Sequence, residues 1–465
     1  MLSESQAIEQ AKALKEQHQE ERPQLDLVRR YWKGVQQIPA VIPSSTPREV
    51  RVMARIARIN ICPIVLDSLA QSLYVDGFTT MDGSASPVWD VWQKNKLDAR
   101  QQGIHRAAFA YGASYAVVVP GDPVPVIRGV SPRSMVAMYG DDPDWPEYAL
   151  ERRGGGLWRL YDDKAIYFLS ESRRSARTQD GSGTVWQLVD TSEHGAGVTP
   201  VVRYLDEDDL DCDDDVEPDG NAFVSGSVAK PMRGQIAQLM DLQDQADLTS
   251  FGLLVAQWYS AFRQRWAIGW VPSDEAQKMK AAASQLWTFD EDPSEMTLGE
   301  FEQTSLDGYI ESRQATLRYA ATLSQTPVHE LVGELVNLSA EALAAAEAGH
   351  DRKVDERKTL LGESHEQMLG LVGVYQKEKV PDDCEVVWRD TSARTFAATI
   401  DGLGKLAQML GVPAQELWTR IPGVTQQDVE RWKAAAQTGD AFAQLSAILD
   451  RHAGPPAPAP APPAA

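Results

Sequence analysis

The sequence predicts an α+β chain built from several regions, and three observations carry that prediction. Between about residues 115 and 205, short apolar runs alternate with turn residues, the pattern of a mostly antiparallel meander. On both sides the apolar residues instead recur at helical spacing, over stretches too long to be strands. At 465 residues the chain also exceeds what one compact core holds, so two to four structural regions are expected.

Ser3–Glu21 and Leu25–Val35 read as polar helices separated by Pro23, suited to an arm that is solvated or covers a partner. After Pro39 and Pro43, a helical stretch from Pro47 carries Val50, Met53, Ile56, Ile59, Val65, Leu66 and Leu69, interrupted at Asn60–Val65. Pro87–Tyr111 is the next helix, with Val88, Val91, Trp92, Leu97 and Ile104 on one face. The strands expected after it are Tyr115–Val119, Pro125–Val130, Met135–Tyr139, Trp158–Tyr161, Ala165–Leu169, Val185–Val189 and Val198–Leu205. Gly154–Gly156 and Asp180–Gly183 supply hairpin tips.

The densest charge run, Asp206–Glu217, follows. Counted from Asp209 or Asp211 it lacks the Gly at position six and the Glu at position twelve of a calcium loop, so a solvated loop is the favoured reading. Met232–Phe262 has no proline and predicts a helix about 45 Å long. Trp266, Ile268 and Trp270 then alternate like a strand, Glu275–Leu286 reads as a helix, and Leu306–Leu323 is helical again. Beyond the Pro327 segment a helix starts near Ser339 and runs toward Lys379, with Ser339 as N-cap. Glu385–Asp390 resembles a strand, and Ser392–Met409, Pro413–Thr419 and Thr425–Gln437 resemble helices. The last residues, Gly454–Ala465, are almost wholly Pro and Ala and predict an extended tail without a core.

Composition narrows the function. Hydrophobic content of 43% with 24% charged residues fits a folded protein, and three widely spaced cysteines without a CxxC pair argue against a disulfide framework or a zinc site. The chain begins without a basic segment followed by an apolar run, and no apolar stretch is long enough to span a bilayer, so neither secretion by signal peptide nor membrane insertion is expected. A net charge of −22 removes the usual footprint of a tight DNA binder. It suits either a wall past which DNA slides without being gripped or plain solubility. Catalytic signatures are near misses. His329-Glu330 and His365-Glu366 begin like zinc-protease helices, but Gly333 and Leu369 stand where the second His belongs. There is no phosphate-binding Gly-Lys-Ser/Thr loop, so no enzymatic activity and no cofactor are expected. Trp258, Trp266 and Trp270 beside Arg263 and Arg265 have the makings of a base-stacking platform. With no wider basic groove, packing in a core or subunit interface is favoured.

The succession of Asn60–Val65 through Tyr74–Phe78, Tyr111–Tyr115, Gly197–Val202, the helix Met232–Phe262, and Ser324-Gln325-Thr326-Pro327 with Leu338–Leu343 resembles the portal proteins of tailed bacteriophages, in particular the SPP1-type portal family, over about residues 25–440. The resemblance implies a portal fold: an α/β wing at 25–225 after an N-terminal arm at 1–24, and two stem helices at 226–262 and 306–324. It further implies a small α/β clip at 263–305, a tunnel loop at 325–338, a wing/crown helix and strand at 339–390 and a helical crown at 391–452, before the tail from 453. It implies a ring-forming subunit, about twelve copies to a ring, at the unique capsid vertex, through which double-stranded DNA is packaged and ejected. Implied partners are the major capsid protein, the terminase large subunit and a head–tail adaptor, with residence in the virion and, during assembly, in the host cytoplasm.

On that resemblance Thr326, Pro327, Val328, His329, Glu330, Leu331 and Val332 form the tunnel loop, with Val328, His329, Leu331 and Val332 projecting toward DNA. Arg263, Arg265, Trp266 and Trp270 lie at the clip docking surface. One departure is plain: the loop holds no Lys or Arg, whereas some family members carry lysine rings near the tunnel. The alternative is an intracellular helical adaptor or scaffold that encloses no DNA channel.

Overall fold

A computed structural model of the chain describes residues 1–37, 45–80, 88–173, 184–207, 234–261, 265–268, 297–300, 305–333, 340–381, 384–389, 396–421, 424, 428–429 and 431–436. The fold is a mixture of helices and antiparallel sheets.

Helix α1, Glu4–Trp32, opens with a reciprocal cap in which the Gln6 backbone N–H donates to the Ser3 hydroxyl and the Ser3 backbone N–H donates to the Gln6 side chain. Contrary to the expected break, Pro23 lies inside this single helix. A proline there costs about 3 kcal/mol, but Pro23 is exposed and both halves of the helix are anchored. Ala7, Ala11 and Leu14 are buried against a five-stranded sheet, and Val28 and Tyr31 join the main core. The N-terminal segment is therefore a packed element, further fixed by the ion pair of Lys15 with Glu171.

Helices α2, Arg48–Ile56, and α3, Cys62–Gln71, are separate, as the Asn60–Val65 interruption implies. Strand β1, Val75–Thr79, follows, and then α4, Trp89–Lys94, and α5, Leu97–Tyr111. The expected single helix at 87–111 is thus two, divided where Lys96 adopts φ 56°. Strands β2 (Ala113–Val119), β3 (Val126–Val130) and β9 (Val201–Leu205) make one antiparallel sheet in the order β3-β2-β9. Strands β4 (Met135–Tyr139), β5 (Pro146–Gly154), β6 (Leu157–Tyr161), β7 (Ala165–Arg173) and β8 (Thr184–Glu193) form a five-stranded meander. The β5–β6 turn uses Gly154–Gly156, all with positive φ, as expected; the tip at 180–183 lies outside the described residues.

Strand β5 was not anticipated. Its pattern is masked because a position facing inward is Glu151, 3% exposed, which Arg128, Arg153 and the Tyr161 hydroxyl all contact. Burial pushes this carboxyl up, yet those hydrogen bonds outweigh it and hold it at about 2.

A 3-10 turn, Ala237–Leu239, leads into α6, Met240–Ala261. The long helix expected from Met232 therefore begins later. At Gly234, with φ +100°, a Cβ would lie 2.6 Å from the Gly112 nitrogen and 2.8 Å from the Phe109 carbonyl oxygen, so the chain bends tightly against α5. Strands β10, Arg265–Ile268, and β11, Thr297–Glu300, pair antiparallel, with Trp266 opposite Gly299. The expected helix at Glu275–Leu286 lies outside the described residues.

Helix α7, Asp307–Ser324, returns beside α6, and the Tyr309 ring sits 3.0 Å from where a Cβ on Gly252 would be. After the short α8, Val328–Val332, comes α9, Ala340–Gln376, a 37-residue helix matching the expectation. Its Leu361, Met368, Leu369 and Val372 are buried in the main core with α3, α5 and the three-stranded sheet. Strand β12, Glu385–Trp388, pairs antiparallel with β1, setting Val75 opposite Trp388. Helices α10, Phe396–Leu410, and α11, Ala414–Leu417, end the continuous description. The expected tail from Gly454 lies outside the described residues. Among the described residues no helix is long and apolar enough to cross a membrane.

Candidate functional site

The segment Thr326–Val332 is built at the point where α7 must stop. The Ser324 hydroxyl donates back to the Ala320 carbonyl at 2.7 Å, its oxygen lies 2.9 Å from the Thr326 hydroxyl, and Gln325 turns left-handed with φ 52°. The Thr326 N–H closes onto the Ala321 carbonyl at 3.0 Å. Pro327, without an N–H to lose, precedes the turn of α8, which ends at Gly333 with φ +74° as its N–H meets the His329 carbonyl.

The segment is thus a tight helical turn. Thr326 and Pro327 are buried, His329 and Val332 are half-buried, and Val328 and Glu330 are exposed. Leu331, expected to project outward, is 7% exposed and packs in the main core. Its apolar side chain is worth about 2 kcal/mol when removed from water, which explains why it turns inward and pins the segment. Residues 334–338 of the expected loop lie outside the described residues.

Beneath this turn sits a buried polar network the sequence did not disclose. Lys353, on α9 and 7% exposed, donates to the Ser324 carbonyl at 2.9 Å and to the Gln235 side chain. Gln235 donates to Asp206 at 2.7 Å, and the Gln235 backbone N–H reaches the Phe109 carbonyl. Arg357, one turn beyond Lys353, pairs with Asp206 at 2.9 Å and with Glu207 at 2.7 Å. Burial pushes the Lys353 ammonium down to about 8 against the pull of Asp206, and pushes the Asp206 carboxyl up against Arg357. Asp206, expected in a solvated loop, is 1% exposed; buried cations on α9 draw it inward. Asp208–Glu217 lie outside the described residues. The network joins the end of β9, the approach to α6, the end of α7 and α9 at one point. The available signal was a Lys–Arg pair at i, i+4 interrupting an apolar helix face beside Val354 and Leu361.

A second buried cluster uses a histidine the sequence had weighed for zinc. His365 and His105 are both fully buried, their Nε2 atoms 2.9 Å apart. The Tyr204 hydroxyl lies 3.0 Å from His365 Nδ1, and His105 Nδ1 lies 3.2 Å from the Leu73 carbonyl. One arrangement satisfies every group: Tyr204 donates to His365, His365 to His105, and His105 to Leu73, with both rings neutral. Burial lowers His105 to about 4; burial, aided by repulsion from His105, sends His365 well below its ordinary value. Glu366, its neighbour, instead accepts from the Val386 N–H. Among the described residues no group of three or more His, Cys, Asp or Glu side chains is disposed to hold a metal ion.

Of the residues expected at the clip surface, Arg265 and Trp266 lie in β10, while Arg263 and Trp270 are outside the described residues. The helix pair α6 and α7 thus leads at one end to the β10–β11 hairpin and at the other to the Thr326–Val332 turn.

Residues 11–440 match the family described as phage portal protein, SPP1 Gp6-like. Since that match spans most of the sequence, the chain belongs to the SPP1 Gp6-like phage portal protein family. It is similar to the portal protein of Mycobacterium phage L5, 25% identical over 396 residues, covering 79% of this chain and 76% of the relative. The portal protein of Mycobacterium phage D29 is 24% identical over 377 residues, covering 77% and 74%. Among solved structures, the virion of a native gene transfer agent particle contains a chain 12% identical with a TM-score of 0.47, covering 82% of this chain and 95% of that one. The neck of an empty gene transfer agent particle contains one 13% identical with a TM-score of 0.48, covering 82% and 96%.

Proposed function

We propose that this chain is the subunit of a closed portal ring of about twelve copies, set at one capsid vertex and enclosing a passage for double-stranded DNA during packaging and ejection. Family membership across residues 11–440 carries the reading. In it the α6–α7 pair is the stem, and the β10–β11 hairpin with Arg263, Arg265, Trp266 and Trp270 is the clip that docks the terminase large subunit and later the head–tail adaptor. The wing meets the major capsid protein. The Thr326–Val332 turn faces the passage, with Val328 and Glu330 as its exposed side chains.

The physical chemistry is compatible with passage rather than capture. A chain of net charge −22 offers DNA little counterion release, and the turn presents an apolar and an acidic group instead of a cation. The role is mechanical, without catalysis or cofactor.

Electron microscopy and native mass spectrometry of the purified protein test the reading. Closed rings of about a dozen subunits with a central hole are expected. A protein that stays monomeric or dimeric at every concentration and salt would rule the reading out.

A further inference from the structure

Helix α2 carries Arg48, Arg51 and Arg55, all exposed, and Arg58 follows just beyond its end. Ala57, 1% exposed, marks the side of this helix that faces the protein. At about 100° per residue, Arg48, Arg55 and Arg51 lie about 180°, 160° and 120° from it, so the three share the outward face. The other flank, at Val52 and Ile56, borders α6 at Leu254 instead. Among the described residues no acidic side chain pairs with the three guanidinium groups, whereas Arg58 donates to the Gln36 carbonyl at 2.8 Å.

This row is unfavourable in the free chain. Residues three and four apart on a helix are neighbours, and like charges there repel. Arg48 with Arg51, Arg51 with Arg55 and Arg55 with Arg58 are all such pairs, while Glu49, the one acid of α2, stands three and four residues from Val52 and Met53. A chain of net charge −22 thus sets these cations against one another rather than against an acid. An anion laid along the row relieves the repulsion. From Arg48 to Arg55 the row is about 10 Å long, so its match is a polymer of repeated negative charge rather than one small ion. The Ile59 N–H donates to Asp247 at 3.2 Å, and Val52 and Ile56 face Leu254, so α2 runs alongside α6 in the opposite direction. The row therefore follows the axis of the helix pair read above as the stem.

We propose that the outward face of α2 is a contact for the backbone phosphates of double-stranded DNA. Arg48, Arg51 and Arg55 donate to phosphates along one strand, whose charges recur about every 3.4 Å of the duplex axis, and the planar guanidinium fork suits phosphate oxygens. Such a contact positions DNA without reading its sequence. Three phosphates per copy give a salt slope of only about −2.7, a hold weak enough for DNA to slide. The choice of DNA as the polyanion rests on the passage reading above.

Binding of a random-sequence duplex of about 30 base pairs to the full chain, followed by fluorescence anisotropy between about 50 and 200 mM salt, tests the contact. Arg48→Gln/Arg51→Gln/Arg55→Gln should weaken binding at the lowest salt at least about tenfold and reduce the slope of log affinity against log salt by about 3 for each copy engaged. Lys at the same three positions should keep the slope. Arg100→Gln/Arg152→Gln/Lys164→Gln, an equal loss of exposed charge elsewhere, should stay within about twofold of the wild type. The melting temperature of the α2 Gln variant should be unchanged or higher, because like charges have been separated; a lower one would overturn the repulsion argument and the proposal with it. Binding indifferent to the α2 substitutions, equal weakening in the two Gln variants, or a wild type that binds no duplex would each overturn the contact. Loss of rings with DNA binding unchanged would also overturn it, marking the face as a contact with protein. Electron microscopy of the same samples keeps the two readings apart: closed rings with no effect of α2 on DNA end this contact alone, whereas a wild type without rings ends the ring reading whatever the duplex shows.

Discussion

Acidification tests the His105–His365 pair directly. Both imidazoles are neutral when folded, because burial denies them the water that a charged ring needs and because a second proton would set two N–H groups against each other across 2.9 Å. In the unfolded chain each titrates near 6.5. The folded values are depressed, so the unfolded state binds more protons in acid. Stability is then complete above about pH 6.5 and is lost as pH falls toward the folded values. Between pH 7.5 and 4.5, with His105 at about 4 in the fold, that ring alone removes about 2–3 kcal/mol. His365, also lowered by burial, acts in the same direction and adds to that loss. The perturbation is a pH change applied to the wild type and to His105→Gln/His365→Gln, in which each amide retains a donor and an acceptor but no longer titrates. The assay is urea unfolding followed by tryptophan fluorescence, since the Trp92 and Trp388 rings lie 5.4 and 6.1 Å from His365. The wild type should lose at least about 2 kcal/mol more than the variant over this range. Equal acid dependence in the two proteins would refute the neutral-pair reasoning.

Other consequences are as concrete. Gly234→Ala should destabilise by at least about 3 kcal/mol, read as a lower melting temperature, because its φ of +100° and the backbone atoms 2.6 and 2.8 Å from the new Cβ leave it no room. Glu151→Gln should cost about 3–5 kcal/mol in chemical denaturation by leaving Arg128 without its buried carboxylate; the depressed Glu151 value also means its stabilising contribution holds above about pH 4.5 and fades toward pH 2. Lys353→Met should leave the Ser324 carbonyl and the Gln235 side-chain oxygen without this donor, and hydrogen exchange at residues 326–333 should accelerate at least tenfold relative to the β5–β7 strands.

Much of the architecture was legible because apolar periodicity reports which face of an element is buried. The meander shows in strands such as β4, and α9 shows in Leu361, Met368 and Val372 at helical spacing. What stayed hidden has three physical causes. Some elements bury polar groups that break the pattern, as Glu151 does in β5. Others depend on partners remote in sequence: β1 pairs with β12 about three hundred residues later, and no local signal encodes that register. Pro23 shows a third case, in which a strong local breaker is overridden by packing on both sides of it.

The candidate site divides along the same line. Ser324-Gln325-Thr326-Pro327 marks a helix stop from sequence alone, since a proline cannot continue α7, whereas the left-handed turn at Gln325 shows only in the fold. Which side chains then face outward was not legible, because Leu331 is drawn inward by a core formed mainly from other segments. Nor was the anchorage, because Lys353, Gln235 and Asp206 meet only after three distant stretches have folded. A buried ammonium that bonds the Ser324 carbonyl ties the position of the turn to α9, β9 and the approach to α6 at once. A displacement of any of them must therefore be transmitted to the turn or break a buried hydrogen bond, at a cost of about 1–3 kcal/mol. The end of α7 and the three-stranded sheet are thus coupled through the Lys353 side chain as well as through the apolar core that Leu317, Ala320 and Leu331 share with Val202 and Tyr204.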